Sequence, residues 1–145
     1  MMAKQKIHFI TYGDSLKYFL SKKHIKNLAS QSGIFETIKG YSKKDLDPTF
    51  LKKYKNIINQ ERGGGFYLWK IWIILNRLNS IENNDILYYS DAGSSFNPDG
   101  SERFKEYIDL LNLSDFGNLR FEAKKSHIEK YWTTKEILNF FGEDL

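Results

Sequence analysis

Asp91 holds the position in this sequence that most suggests binding chemistry. It follows the short apolar run 86–90, which is rich in β-branched and aromatic residues, and it precedes Ala92 and Gly93. In open α/β sheets, ligands bind beyond the carboxyl ends of the strands. The two small residues leave room for a ligand to approach the backbone. Asp91 is therefore a candidate ligand contact, with a simple turn residue as the alternative.

Three consecutive glycines, Gly63 to Gly65, open the longest apolar run of the chain, and Lys70 lies near the start of that run. Backbone N–H groups before a helix can contact a phosphate, and a lysine can neutralise its charge. The segment lacks the Gly-Lys-Ser/Thr ending of a Walker loop, and its glycines do not follow the first strand as in a dinucleotide fingerprint. A flexible connector before a core helix explains the glycines equally well.

Two further loops follow predicted strands. One comprises residues 11–14, after a strand at 6–11, and the other is Gly40-Tyr41, after a strand at 34–39. The carboxyl ends of parallel strands meet at one edge of a sheet, so we expect both loops to lie beside Asp91. The alternative roles are a helix cap for Asp14 and a packed aromatic for Tyr41.

Strands that alternate with helices must position these loops. Residues 6–39 predict a βαβ unit whose helix, ending near residue 31, carries an apolar stripe of Leu16, Phe19, Leu20, Leu28 and Ala29. The remaining predicted elements are helices at 48–59, from the glycines to Leu78, at 101–112 and at 136–141, and strands at 86–90 and 118–122. We expect the helix that ends at Leu78 to be buried on most of its circumference. This alternation predicts an α/β fold with a mainly parallel sheet flanked by helices.

Size and composition favour a single domain spanning residues 1–145, with enough apolar residues, 41%, for a real core. The net charge of +4 comes from lysines spread along the chain, which suits anionic ligands but lacks a nucleic-acid-binding block. Absence of cysteine excludes disulfides and thiolate chemistry. No secretory leader or transmembrane segment is recognised, so we predict a cytoplasmic protein. The three histidines lack metal-ligand spacing, and a Gly-x-Ser-x-Gly hydrolase motif is absent.

Segments 64–70 and 85–93, joined by a helix, resemble a group of poorly characterised glycosyltransferases. These are nucleotide-sugar-dependent enzymes of the GT-A class, found in bacterial surface-polysaccharide loci and in large DNA viruses. Segments 11–14, 38–41 and 129–133 extend the resemblance over nearly the whole chain. It implies a Rossmann-like GT-A fold and transfer of a sugar from a nucleotide-diphosphate donor to a glycan or other acceptor.

The resemblance also implies roles for individual residues. The first-strand loop would hold the nucleoside, Lys70 would approach the diphosphate, and Asp91 would bind Mn²⁺ or Mg²⁺. Gly93 stands where such enzymes carry a second aspartate, although one carboxylate plus substrate phosphates can hold a divalent ion. A catalytic base is not identified, with Glu122 and Glu129 as candidates. The implied donor-site residues are Thr11, Tyr12, Gly13, Asp14, Tyr41, Gly65, Trp69, Lys70, Asp91, Ala92 and Gly93.

Enzymes of this class usually continue well beyond this length, so the chain resembles their donor-binding half, either naturally minimal or a fragment. We predict that apolar surface which a missing half would cover drives homodimerisation. One alternative is a module that binds nucleotide sugars without turnover. A second, less favoured one is a basic α/β domain that contacts nucleic acid through its lysines. The leading hypothesis expects no nucleic-acid partner.

Overall fold

A computed structural model describes residues 5–119, 124, 134–140 and 142 of the protein, and its architecture is α/β. The chain divides into two compact units, Met1–Pro98 and Asp99–Leu145. The first unit contains the strands β1 (Ile7–Tyr12), β2 (Thr37–Tyr41) and β3 (Ile86–Tyr89). Its helices are α1 (Leu16–Ser32), α2 (Pro48–Lys53), α3 (Lys55–Ile58) and α4 (Leu68–Leu78), and a 3₁₀ turn spans Lys43–Asp45.

The three strands form a parallel sheet in the order β2-β1-β3. Phe9 of the central strand β1 is opposite Ile38 of β2 on one side and opposite Tyr88 of β3 on the other. The predicted parallel pairing of the first two strands through a helix is confirmed. Since both neighbours run parallel to β1, the carboxyl ends of all three strands lie at one edge of the sheet.

Successive residues of β1 point to opposite faces of the sheet, and each face has its own core. Phe9 packs with Ile25 and Ala29 of α1, and all three side chains are fully buried. On the other face, Ile10 belongs to a buried cluster that includes Trp69 and Ile73 of α4. Helices α1 and α4 therefore cover opposite faces of the sheet, which explains why β1 is apolar on both sides.

The predicted apolar stripe of α1 is wrong in its first half. Leu16, Phe19 and Leu20 are 93%, 57% and 70% exposed, because the buried residues of this helix, Ile25 and Ala29, lie in its second half. The predicted end of the helix is confirmed. Gly33 adopts a left-handed conformation with φ of 65°, and its N–H donates to the carbonyl of Ser30.

The predicted helix start at Asp47-Pro48 is confirmed, since the Asp47 carboxylate accepts a hydrogen bond from the Phe50 N–H at 2.9 Å. This helix does not continue unbroken to residue 59. The backbone of Tyr54, with φ of −109° and ψ of 23°, separates α2 from α3.

Helix α4 buries one stripe, so the prediction that most of its circumference is buried is wrong. Trp69 and Ile73, four residues apart, are buried against the sheet. Ile71 and Leu75 lie on another face and are 58% and 55% exposed. Apolar composition indicated a buried helix, but a helix that packs against one face of a sheet needs only one apolar stripe.

A polar network lies at the opposite, amino-terminal edge of the sheet. The buried His8 ring contacts Thr37 Oγ1 through Nδ1 at 2.8 Å and Asp85 Oδ2 through Nε2 at 3.0 Å. Asp85 Oδ1 also accepts a hydrogen bond from the Lys6 N–H, and Arg77 Nη2 donates to Thr37 Oγ1 at 2.6 Å. These contacts join the starts of all three strands to α4. Histidine at position 8 therefore contributes to strand pairing.

The second unit contains α5 (Ser101–Asn112) and α6 (Lys135–Phe140). The predicted helix at 101–112 is confirmed, and its half-buried side chains follow the predicted spacing at Phe104, Tyr107, Ile108 and Leu111. The predicted helix at 136–141 is found at Lys135–Phe140. Residue 141 and residues 120–122 of the predicted strand at 118–122 lie outside the described residues. In the described part of the chain, every helix is too short or too polar to cross a membrane.

Candidate functional site

A cavity of about 680 Å³ opens at the carboxyl edge of the sheet, and the described residues that line it belong to the first unit. The loops after β1 and β3, which the sequence predicted to meet, both contribute to it. Other walls come from Lys43 and from the segment between α3 and α4. Seven of the eleven predicted donor-site residues line the cavity: Tyr12, Gly13, Asp14, Trp69, Asp91, Ala92 and Gly93.

The other four predicted residues do not line it. The side chains of Thr11 and Tyr41 are 0% and 2% exposed, and Tyr41 packs in the core that contains Ile10. Gly65 is buried, and Lys70 reaches the cavity indirectly through an ion pair with Asp91. Tyr41 contributes its backbone at this edge, since its carbonyl accepts a hydrogen bond from the Gly13 N–H at 3.0 Å.

One wall of the cavity is aromatic. The rings of Tyr12 and Trp69 are stacked, with centroids 3.8 Å apart and planes at 12°, and Tyr67 meets Trp69 edge-on at 6.2 Å. The indole N–H of Trp69 donates to the Gly63 carbonyl at 2.9 Å, which fixes the ring. Burial, assisted by the charges of Asp14 and Asp45, raises the pKa of Tyr12, so its hydroxyl stays protonated in alkaline as well as neutral solution.

The segment between α3 and α4 forms a left-handed turn, here called the glycine turn (Gly63–Phe66). Its φ angles are 60°, 57°, 94° and 50°, and Tyr67, which follows, has φ of 61°. Glycine is required at position 65, because a Cβ there would lie 2.5 Å from the Cα of Ile58. The run of positive φ angles lets α3 and α4 approach each other closely.

The glycine turn does not offer the free N–H groups that a phosphate loop would require at its centre. The N–H of Gly64 donates to the Glu61 carbonyl at 3.1 Å, and that of Gly65 donates to the Gln60 carbonyl at 2.8 Å. Of the two interpretations drawn from the sequence, these contacts favour a structural connector at Gly64 and Gly65. The turn still shapes the cavity, since Gly63 and Gly64 line it.

Asp91 is held by two side chains. Lys70 Nζ lies 3.1 Å from Asp91 Oδ1, and the Tyr89 hydroxyl donates a short hydrogen bond to the same oxygen. The hydrogen bond from Tyr89 is the main cause that lowers the pKa of Asp91 below its usual range. Partial burial opposes this effect, and Lys70 lowers the pKa further. Burial and the same contact raise the pKa of Tyr89. Asp91 is therefore an ionised carboxylate at the cavity wall, with a side chain that is 64% exposed.

Lys43 also lines the cavity, and sequence reasoning missed it. Its backbone N–H donates to Asp14 Oδ1 at 2.7 Å, and its Nζ donates to Asn59 Oδ1 at 3.1 Å. Asp14 therefore ties the loop after β1 to the 3₁₀ turn after β2 and does not cap α1, whose N-cap Ser15 makes no side-chain capping bond. The sequence showed Lys43 only as one member of a lysine pair.

Lys22 of α1 joins two strand ends beside the cavity. Its ammonium group donates to the carbonyls of Gly13 at 2.6 Å and Tyr41 at 3.1 Å. Burial lowers the pKa of Lys22, although nearby carboxylates oppose this effect. Gly40 leaves space for this lysine, because a Cβ at that position would lie within 3.2 Å of the side chains of Lys22 and Lys26. The glycine is the feature of the sequence that could have indicated such a close approach.

The described residues at this edge do not by themselves form a complete set of ligands for a divalent cation. In the chain as described, no three His, Cys, Asp or Glu side chains are grouped as metal ligands. Asp91 Oδ1 already contacts an ammonium and a phenol, and Gly93 supplies no side chain. Mg²⁺ takes six oxygen ligands, of which waters and substrate phosphates can supply most, so a cation at this edge would depend on a bound ligand.

Comparison of the chain with protein-family models, curated proteins and solved structures gives no match.

Proposed function

We propose that the cavity is the donor site of a glycosyltransferase and that it binds a nucleotide-diphosphate sugar. One observation carries this proposal: an aromatic wall, Lys43 and the acidic residues Asp14, Glu61 and Asp91 surround a single cavity. A nucleotide sugar presents complementary groups, namely a flat base, an anionic diphosphate and hydroxyls that donate hydrogen bonds. The volume of about 680 Å³ is in the range of small-molecule sites.

The position of the cavity supports the same proposal. Parallel α/β sheets bind ligands at the carboxyl ends of their strands, and the first turn of α4 borders the cavity through Trp69. The amino end of a helix carries partial positive charge, which favours a diphosphate there. A parallel sheet with helices on both faces is compatible with the Rossmann-like GT-A fold that the sequence resemblance implies.

In this proposal each wall of the cavity has a distinct task. The ring of Tyr67, 54% exposed, offers a face for stacking of the base. Lys43 attracts the diphosphate, and the carboxylates of Asp14 and Asp91 accept hydrogen bonds from ribose or sugar hydroxyls.

During transfer, the bond between the anomeric carbon and the diphosphate oxygen breaks, and a bond to the acceptor oxygen forms. The acceptor hydroxyl gives its proton to a base, for which the two candidates from the sequence, Glu122 and Glu129, lie outside the described residues. Negative charge grows on the leaving diphosphate, so fixed positive charge from Lys43 lowers the barrier.

Calorimetric titration of the full chain with a panel of UDP- and GDP-sugars tests the proposal. We expect one member to bind, and Asp91→Asn and Tyr67→Ala each to weaken that binding about tenfold, or ~1.4 kcal/mol. Glu36→Gln neutralises an exposed carboxylate at the amino-terminal edge of the sheet and should leave the affinity unchanged. The proposal fails if the folded protein binds none of the panel, or if both site variants bind as the wild type does.

Release of the nucleoside diphosphate then separates a transferase from a binding module. The bound donor is incubated with a mixture of glycan acceptors, and the free diphosphate is quantified. We expect release that depends on the acceptor. Donor binding without release would favour the non-catalytic alternative.

A further inference from the structure

A side chain of the protein occupies a cation position beside Asp91 Oδ1. Lys70 Nζ lies 3.1 Å from this oxygen. The ammonium group is also 4.8 Å from the ring centroid of Tyr89, 5.4 Å from that of Tyr67 and 5.8 Å from that of Trp69. Contacts with three aromatic rings and a carboxylate favour this position of the lysine. A cation that bound Asp91 Oδ1 would have to displace the ammonium group.

Lys70 neutralises the carboxylate of Asp91, which would otherwise repel a phosphate. A metal ion bound to Asp91 would have the same effect. Lys43 lines the cavity together with two further acidic residues, Asp14 and Glu61, and the Asp14 carboxylate accepts a hydrogen bond from the Lys43 N–H. Among the described residues of the cavity wall, Lys43 is therefore the cationic side chain that can face a phosphate.

We infer that this site binds the diphosphate of its ligand without a divalent cation, with Lys43 and Lys70 providing the positive charge. The inference rests on the proposed function and adds that the ligand is bound without a divalent cation. It departs from the Mn²⁺ or Mg²⁺ that the sequence resemblance implies. Gly93 supplies no second carboxylate beside Asp91, and Oδ1 of Asp14 is engaged by the Lys43 N–H. Among the described residues, no three His, Cys, Asp or Glu side chains are grouped as metal ligands.

The first experiment is a Mn²⁺ titration of the full chain without nucleotide, in which electron paramagnetic resonance measures the free ion. We expect the wild type and Asp91→Asn to show the same weak, non-saturating behaviour. Saturable binding of Mn²⁺ to the wild type that Asp91→Asn abolishes would overturn the inference. This titration needs no nucleotide, so it decides the occupancy of Asp91 even if the proposed function fails.

The second experiment measures the affinity for UDP or GDP by calorimetry, once with EDTA and once with excess Mg²⁺. We expect the two affinities to agree within about twofold, and Lys43→Met to weaken binding about tenfold in both conditions. Lys44→Met removes the neighbouring exposed charge and is the matched control, with an expected change below about twofold. Loss of affinity in EDTA alone would contradict the inference but leave the proposed function intact. Failure of both nucleotides to bind in either condition would contradict both.

Discussion

The phenol ring of Tyr12 lies nearly parallel to the indole of Trp69, with 3.8 Å between their centroids. Tyr12 is the last residue of β1, and Trp69 lies in the first turn of α4, so this contact joins the carboxyl edge of the sheet to the helix that covers it. The same two rings line the cavity. The shape of the candidate site is therefore coupled to the stability of the core.

This coupling can be measured with a double-mutant cycle. Trp69→Ala should lower the free energy of unfolding by ~3–5 kcal/mol, because it empties a buried site. The cycle of Tyr12→Leu with Trp69→Leu should give an interaction energy of ~0.5–1.5 kcal/mol in urea denaturation. Additive single mutants would show that the stacked rings do not interact beyond their separate burial. Trp72→Ala, at a half-buried tryptophan of the same helix, is a control that should cost less.

Gly65 and Gly93 should differ in how strongly the same substitution destabilises the protein. Gly65→Ala places a methyl group against the Ile58 backbone at a φ of +94°. The free energy of unfolding should therefore fall by ~2 kcal/mol or more. At Gly93 the new methyl group meets no atom within 4 Å, and we expect little change in the urea midpoint. Equal stability of Gly65→Ala and wild type would show that the glycine turn relaxes easily.

The network at the amino-terminal edge predicts a dependence of stability on pH. The hydrogen bond from His8, followed by that from the Lys6 N–H, lowers the pKa of Asp85 below its unfolded value of about 4. A carboxyl with a lowered folded pKa stabilises the protein above the unfolded pKa and loses that contribution as the pH falls through the folded pKa.

We therefore expect Asp85→Ala to be less stable than the wild type at pH 6 and the difference to shrink as the pH falls below about 4. Urea denaturation at a series of pH values measures both curves. Asp109→Asn, at an exposed position of α5, is the control and should follow the wild type more closely. A difference that stays constant down to pH 3 would exclude Asp85 as the titrating group.

The position of the site was predictable because it depends on the alternation of strands and helices. Once β1 and β3 are parallel neighbours, the loops at Tyr12 and Asp91 must meet at one edge. Tyr41 was predicted to lie in a loop after a strand at 34–39, but it is the last residue of β2, which spans Thr37–Tyr41. Since side chains alternate along a strand, local composition did not decide which way Tyr41 would point.

The lysines of the site could not be found from local patterns. Lys22 and Lys43 reach partners 19 and 16 residues away in the chain, and such contacts depend on the finished packing of helix and sheet. The three glycines did indicate an unusual backbone before α4. They did not indicate that Phe66 and Tyr67 would share the left-handed conformation.

Phe66 and Tyr67 adopt left-handed backbone angles, which D-amino acids favour over L-amino acids. An L-residue in this conformation costs about 1–2 kcal/mol, and these rings recover little of it by burial, since they are 56% and 54% exposed. A D-amino acid would adopt the same φ without this steric cost. Two large aromatic rings therefore stand at positions where the backbone disfavours any L side chain, and one of them, Tyr67, lines the cavity.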